Sequence, residues 1–110
     1  MPYDEHLAAR VRPLVQQHGL VEEKLTFGGL SFMVRGHLAV CVSAHGGLLV
    51  RVTAPDRDAL LDPPHVTPMA MAGRESRTWL QVAPAAVASD EALVAWVARG
   101  VAVVHGLPPK

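Results

Sequence analysis

Three apolar runs of period two, joined by glycine-bearing turns, constrain the fold of this chain more than any other feature. Leu30, Phe32 and Val34 alternate with Ser31, Met33 and Arg35, ahead of a turn at Arg35-Gly36-His37. Leu38, Val40 and Val42 alternate with Ala39, Cys41 and Ser43, ahead of a second turn at Ala44-His45-Gly46-Gly47. Leu48, Val50 and Val52 then alternate with Leu49 and Arg51. Residues two apart share a face of a strand, and short turns join antiparallel neighbours, so the pattern predicts a β-meander. Residues 21–26 are expected to add a short strand before it. Residues 76–83, with Thr78, Leu80 and Val82 against Trp79 and Gln81, are expected to add one behind it, stopped by Pro84.

A sheet with one apolar face needs a cover. Asp4 is placed to cap a helix carrying Leu7, Ala8, Val11, Leu14 and Val15 on one side, and Gly19 suits the residue that closes it. Pro13 lies inside this pattern and removes one backbone bond, which would kink or split the helix; one helix with a bend is expected. At the far end Ser89 reads as a cap, Asp90 and Glu91 complement the positive helix start, and Leu93, Val97, Val101 and Val104 form a stripe ended by Gly106 and Pro108. Pro55 opens a short helix reaching Leu61. Residues 62–75 read as a loop, since Pro63, Pro64 and Pro68 interrupt any regular ladder there. The order predicts an α+β fold, an antiparallel meander sheet covered by N- and C-terminal helices, with residues 1–110 as a single domain.

Composition narrows the function classes. Half of the 110 residues are apolar, yet the aromatics are only two Phe, two Trp and one Tyr, so aliphatic packing must dominate the core. Ten basic residues balance ten acidic ones, which leaves no net field to steer the chain toward nucleic acid or an anionic membrane and little repulsion between copies. One cysteine, Cys41, excludes an internal disulfide. The first residues lack the basic start and apolar run of a secretory signal, and no apolar stretch approaches the roughly 20 residues that span a bilayer, so cytoplasm is the expected compartment.

None of the polar residues falls into a spacing that a known chemistry requires. His37 and His45 flank one predicted strand and would stand roughly 20–25 Å apart at about 3.3 Å per residue, too far to share an ion. With no His-x-x-x-His or Cys-x-x-Cys pair, no metal and no cofactor are expected. Ser31 lacks the second glycine of a nucleophile elbow. Cys41, between Val40 and Val42, reads as packing. Phe27-Gly28-Gly29 precedes a strand where a phosphate-binding loop needs a helix, so these three are expected to be structural: a kink or bulge anchored by Phe27. Arg51 lies opposite the Leu48, Val50, Val52 set. Three roles stay open for it: solvated, paired with Glu22 or Glu23, or contacting an anion. His65, Arg74 and Arg77, in or beside the proline-bounded loop, complete the candidate binding residues. No catalytic residue is identified.

The segments also carry a recognisable series of residues. Tyr3-Asp4-Glu5-His6-Leu7-Ala8-Ala9-Arg10-Val11-Arg12, Glu23-Lys24, Phe27-Gly28-Gly29, Phe32-Met33-Val34 and Gly36 are followed by Leu49-Val50-Arg51-Val52, Pro64-His65-Val66, Pro68-Met69, Gly73, Trp79, Trp96 and Leu107-Pro108-Pro109-Lys110. In this order they resemble the amino-terminal domain of the TfoX/Sxy family along essentially the whole chain. The resemblance implies a fold similar to secretion chaperones and a link to the regulation of natural competence, in which named members act as transcriptional co-regulators. Those members carry a second, helical carboxy-terminal domain that this sequence does not reach. Thr26 also stands where Met is usual, and Arg35 where Asn is common. The expectation is therefore a non-catalytic interaction or regulatory module. It would be homodimeric, would bind a protein partner through the uncovered sheet face or an edge strand, and would neither contact DNA directly nor enter a membrane. The alternative is a small enzyme or binding domain for an anionic molecule.

Overall fold

The structure is a computed structural model that describes residues 3–26, 28–44, 46–71 and 73–108. Helix α1 (Glu5–Gln16) opens on Asp4, whose Oδ1 accepts from the backbone N–H of His6 and Leu7 at 2.9 and 3.1 Å. It is a single element with Pro13 inside, kept whole as expected. Pro13 sits on the exposed side, while Leu7, Ala8, Val11 and Val15 are buried.

Four strands follow: β1 (Val21–Thr26), β2 (Gly29–Val34), β3 (His37–Val42) and β4 (Leu48–Arg51). After them come a short helix α2 (Ala54–Leu60), capped by the Thr53 hydroxyl, and strands β5 (Val66–Met71) and β6 (Arg74–Val82). A 3-10 turn (Pro84–Val87) leads into α3 (Asp90–His105), where the Ser89 hydroxyl accepts from Ala92 N–H at 3.1 Å. All six strands form one antiparallel sheet in the order β1-β2-β3-β4-β6-β5. The fold is α+β, with the meander as expected.

Strand β5 corrects the reading of residues 62–75 as a loop. Its Pro68 pairs with Leu80 of β6. Proline lacks the N–H that a central strand must donate on one side, but β5 is an edge strand and needs partners on the other side only.

Helices α1 and α3 cover one face. Phe32, Val40, Val42, Leu48, Val50, Leu80 and Val82 are fully buried there against Val11, Val15, Leu93, Val97, Val101 and Val104. Trp96 and Gly100 join the buried side of α3, beyond the aliphatic stripe that the periodicity predicted.

One irregularity shapes the opposite face. Phe32 pairs with Val40 but Met33 pairs with Leu38, so Ala39 is an extra residue on β3. Such a bulge reverses the alternation beyond it. Leu38, expected beside Val40 and Val42, instead stands with Cys41 on the uncovered side. The bulged backbone also meets α3 closely: a Cβ on Gly100 would lie 2.6 Å from the Ala39 carbonyl oxygen and 2.8 Å from Val40 Cγ1. Only glycine lets the helix settle on the bulge.

At the first hairpin Thr26 pairs with Gly29. Gly28 has φ +75°, a conformation that side-chain-bearing residues rarely adopt, and a Cβ on Gly29 would stand 2.2 Å from the Val42 carbonyl oxygen. The segment is thus a tight connection between two strands. Phe27, expected to anchor it, lies outside the described residues, as does His45.

Candidate functional site

The uncovered face holds a cavity of about 420 Å³ lined by Leu38, Cys41, Leu49, Arg51, Met69, Arg74, Glu75, Ser76 and Trp79. Its floor comes from β3 and β4, where the bulge adds Leu38 to the side chains of Cys41 and Leu49. The rest comes from the β5–β6 hairpin. Pro68 pairs with Leu80 and Ala70 with Glu75, so residues 76–79 of β6 stand against the single residue Met69. This mismatch breaks the ladder and sets Met69, Arg74, Glu75 and Ser76 around the cavity.

Arg51 is the only cation on the floor. Its cross-strand partner is Trp79, and its guanidinium carbon lies 5.0 Å from the centroid of that ring. Its Nε donates to the Leu38 carbonyl at 2.9 Å. A guanidinium stacked on a ring and bonded through one nitrogen is held in a fixed plane. Burial pulls its pKa below the ordinary arginine value, since a cation loses hydration there. Among the described residues it has no carboxylate partner, and no hydrogen bond leaves its two terminal nitrogens.

The pairing of Arg51 with Glu22 or Glu23 is therefore not made. Glu23 belongs to Arg12 of α1, whose Nε and terminal nitrogen donate to its two oxygens at 2.5 and 2.9 Å. This fork holds the Glu23 carboxyl below its usual range. Glu75, on the cavity wall, is also engaged. Arg57 donates to it at 3.1 Å, to Asp58 at 2.7 Å and to the Ser76 carbonyl at 2.8 Å, which ties α2 to the hairpin.

Of the other candidates, Arg74 shares the cavity with Arg51 and is exposed. Arg77 is exposed and does not line the cavity that holds Arg51. His65 is elsewhere. Its carbonyl accepts from Ala83 N–H at 2.7 Å, and its side chain borders a second recess with Asp62, Val66, Ala85, Ala86 and Trp96. The structure thus unites two of the four candidate binding residues. Leu38, Met69, Glu75, Ser76 and Trp79 escaped sequence reasoning because the strand β5 and both irregularities were unseen. The Arg51–Trp79 pairing would have been visible had the β4–β6 register been known.

Cys41 contacts the cavity but is 1% exposed, and burial pushes its thiol pKa up. It is a packed side chain and a poor nucleophile. Among the described residues no three His, Cys, Asp or Glu side chains gather as metal ligands do, and no helix is long and apolar enough to cross a membrane.

A second surface stands out at the far edge of the sheet. Leu20, just before the outermost strand β1, and Leu25 within it are 95% and 70% exposed. Between them lie the exposed Glu22, Glu23 and Lys24.

No curated protein and no solved structure matches the chain. The TfoX N-terminal domain does, over residues 13–104, from within α1 to the last turn of α3. The match takes in every strand, both bulges and the cavity floor, and the chain belongs to the TfoX N-terminal domain family.

Proposed function

We propose that this chain is a non-catalytic regulatory module that acts by joining its β1 edge to another chain, first of all a second copy of itself. The supporting observation is that edge: an outermost strand with unpaired backbone groups on one side, with Leu20 just before it and Leu25 within it 95% and 70% exposed. Edges of this kind take up a further strand readily unless they are blocked.

The sequence of β1 suits self-pairing. A two-fold axis perpendicular to the sheet keeps the faces matched, so opposed residues must have the same parity. Centred on Glu23, it sets Val21 opposite Leu25 and Glu22 opposite Lys24, each pair occurring on both sides of the axis. Apolar and opposite-charge pairs across strands are each favourable by about 0.2–1 kcal/mol. The two Glu23 carboxylates meet at the axis, each already neutralised by Arg12.

Sedimentation equilibrium of the full chain tests this. The wild type is expected as a dimer, and Lys24→Glu, which opposes Glu22 with a like charge, as a folded monomer whose melting temperature no longer depends on protein concentration. A monomeric wild type, or a dimer indifferent to Lys24→Glu and Leu25→Glu, refutes the edge.

The family link to transcription and competence does not make the domain a DNA binder on this reading. Arg10, Arg12 and Arg57 are each paired with carboxylates, and Arg35 donates to the His105 carbonyl at the end of α3. Cations spent this way offer no continuous surface to phosphate. A second reading, a binding domain for a small anionic molecule, rests on the convergence of Arg51 and Arg74 on one cavity.

A further inference from the structure

The cavity combines three properties that together select a ligand. Its walls are largely apolar: Leu38, Leu49, Met69, Cys41 and the ring of Trp79. Its volume, about 420 Å³, falls in the lower part of the roughly 300–1,000 Å³ range of small-molecule sites. Its one floor cation is fixed in plane by Leu38 and Trp79 and keeps two terminal nitrogens without partners among the described residues.

A half-buried cation without a counter-ion is costly, and a carboxylate placed on its fork offsets that cost through two parallel charge-assisted bonds. The carboxylate on the cavity wall, Glu75, is held by Arg57 at 3.1 Å. The site therefore calls for a carboxylate from outside, attached to a body that is content among leucine, methionine and indole. Exposed Arg74 adds a second positive charge to the same cavity. A compact dianion such as phosphate would satisfy the charge but leave the apolar walls wet.

We propose that this cavity binds a small monocarboxylate with an apolar aromatic or branched aliphatic body, its carboxylate on Arg51. The proposal deepens the small-anion reading and is independent of the β1 edge, which lies three strands away from β4 in the sheet.

The test is a titration of the full-length protein, followed by proton–nitrogen spectra, with benzoate as probe and benzyl alcohol and inorganic phosphate as controls. The chain has two indole N–H signals, and each serves a purpose. The signal of Trp79 is expected to shift saturably with benzoate, and that of Trp96, on the helix-covered side, to stay put. Benzyl alcohol and phosphate are expected to bind at least about tenfold more weakly, the loss of one or more charge-assisted bonds or of the apolar contact. Arg51→Lys keeps the charge but loses the fork, and is expected to weaken benzoate about tenfold. Leu49→Trp, which fills the cavity from its floor and leaves Arg51 in place, is expected to abolish the shift of Trp79. Melting temperatures confirm that both variants are folded, and if one is not, the other decides.

Benzyl alcohol binding as well as benzoate overturns the proposal, since the cavity is then merely apolar. Phosphate binding better than benzoate overturns it too, but leaves the small-anion reading standing. Benzoate binding unchanged in Arg51→Lys and in Leu49→Trp refutes the assigned site. No saturable shift with either anion up to about 10 mM, beyond the weak end of useful affinity, removes both readings.

Discussion

The two faces of the sheet are built from the same strands and differ in what they were free to contain. On the helix-covered face, Phe32, Val40, Val50, Leu80 and Val82 leave no exposed surface and pack into one apolar cluster. On the other face Cys41 and Leu49 are nearly as buried, 1% and 7% exposed, yet they share their surroundings with a cationic Arg51, an indole and an empty volume. Burial alone thus does not distinguish a core from a site. The covered face is filled by aliphatic contact, as close packing requires. The uncovered face is closed by a hairpin that stops short of filling it.

The largest expected effect breaks this comparison directly. Phe32→Ala, in the filled face, is expected to cost about 3–5 kcal/mol. Leu49→Ala, whose side chain already borders a void, is expected to fall at the low end of its class, about 2 kcal/mol. Urea denaturation of both measures the difference, and equal losses would mean the two faces are packed alike.

Next come the two positions where backbones meet too closely for a side chain. Gly100→Val would press a branched side chain onto the Ala39 bulge, and Gly29→Val onto the Val42 carbonyl. Each is expected to lower stability by about 1–3 kcal/mol, the usual cost of overpacking. Chemical denaturation reads both. An unchanged Gly100→Val would show that α3 does not rest on the bulge, and the link between the helix layer and the displaced Leu38 would fail.

A smaller effect is pH-dependent. Glu23 has its carboxyl pKa held down by Arg12, so the unfolded chain binds more protons than the folded one across the interval between the two values. The stability it contributes is full above the unfolded value, about 4.3, and is lost as pH falls through the lower folded value. The pair is partly exposed, so its contribution is below about 1 kcal/mol. Glu23→Gln should flatten the acid limb of the melting curve, and an identical acid limb would deny the pair any role.

The smallest concerns reactivity. Cys41 lies on the uncovered face, but its raised thiol pKa and burial should keep it from reacting with a maleimide at neutral pH until urea opens the sheet. Rapid labelling of the native protein would show the cavity to be more open than its walls suggest.

The legible parts of this molecule are those whose cause is close in sequence. Asp4 and Ser89 cap the helices that follow them by a bond to a neighbour, and the alternation of residues 30–34 and 48–52 reads out directly as strands. Residues 62–75 were illegible for a physical reason. Three prolines argue against a strand, and only the position of β5 at the sheet edge, a property of the whole topology, makes Pro68 harmless. Half of the candidate site was legible in the same sense: Arg51 was singled out because a charge within an apolar strand needs an explanation, and Arg74 because it borders the loop. Neither Trp79 nor Leu38 could be joined to them without the register.

What the chain's sequence alone determined is which segments other than β5 become helices and strands, and which side of most strands is apolar, because caps, turns and period-two patterns act over a few residues. The tertiary structure alone decided the extra residue at Ala39, the strand order that pairs Arg51 with Trp79, and the ion pairs that engage Glu23 and Glu75 but leave Arg51 without a carboxylate among the described residues. Those depend on contacts between residues far apart in the chain. Bulge, register and counter-ion are settled only when the helices and the hairpin close on the sheet together.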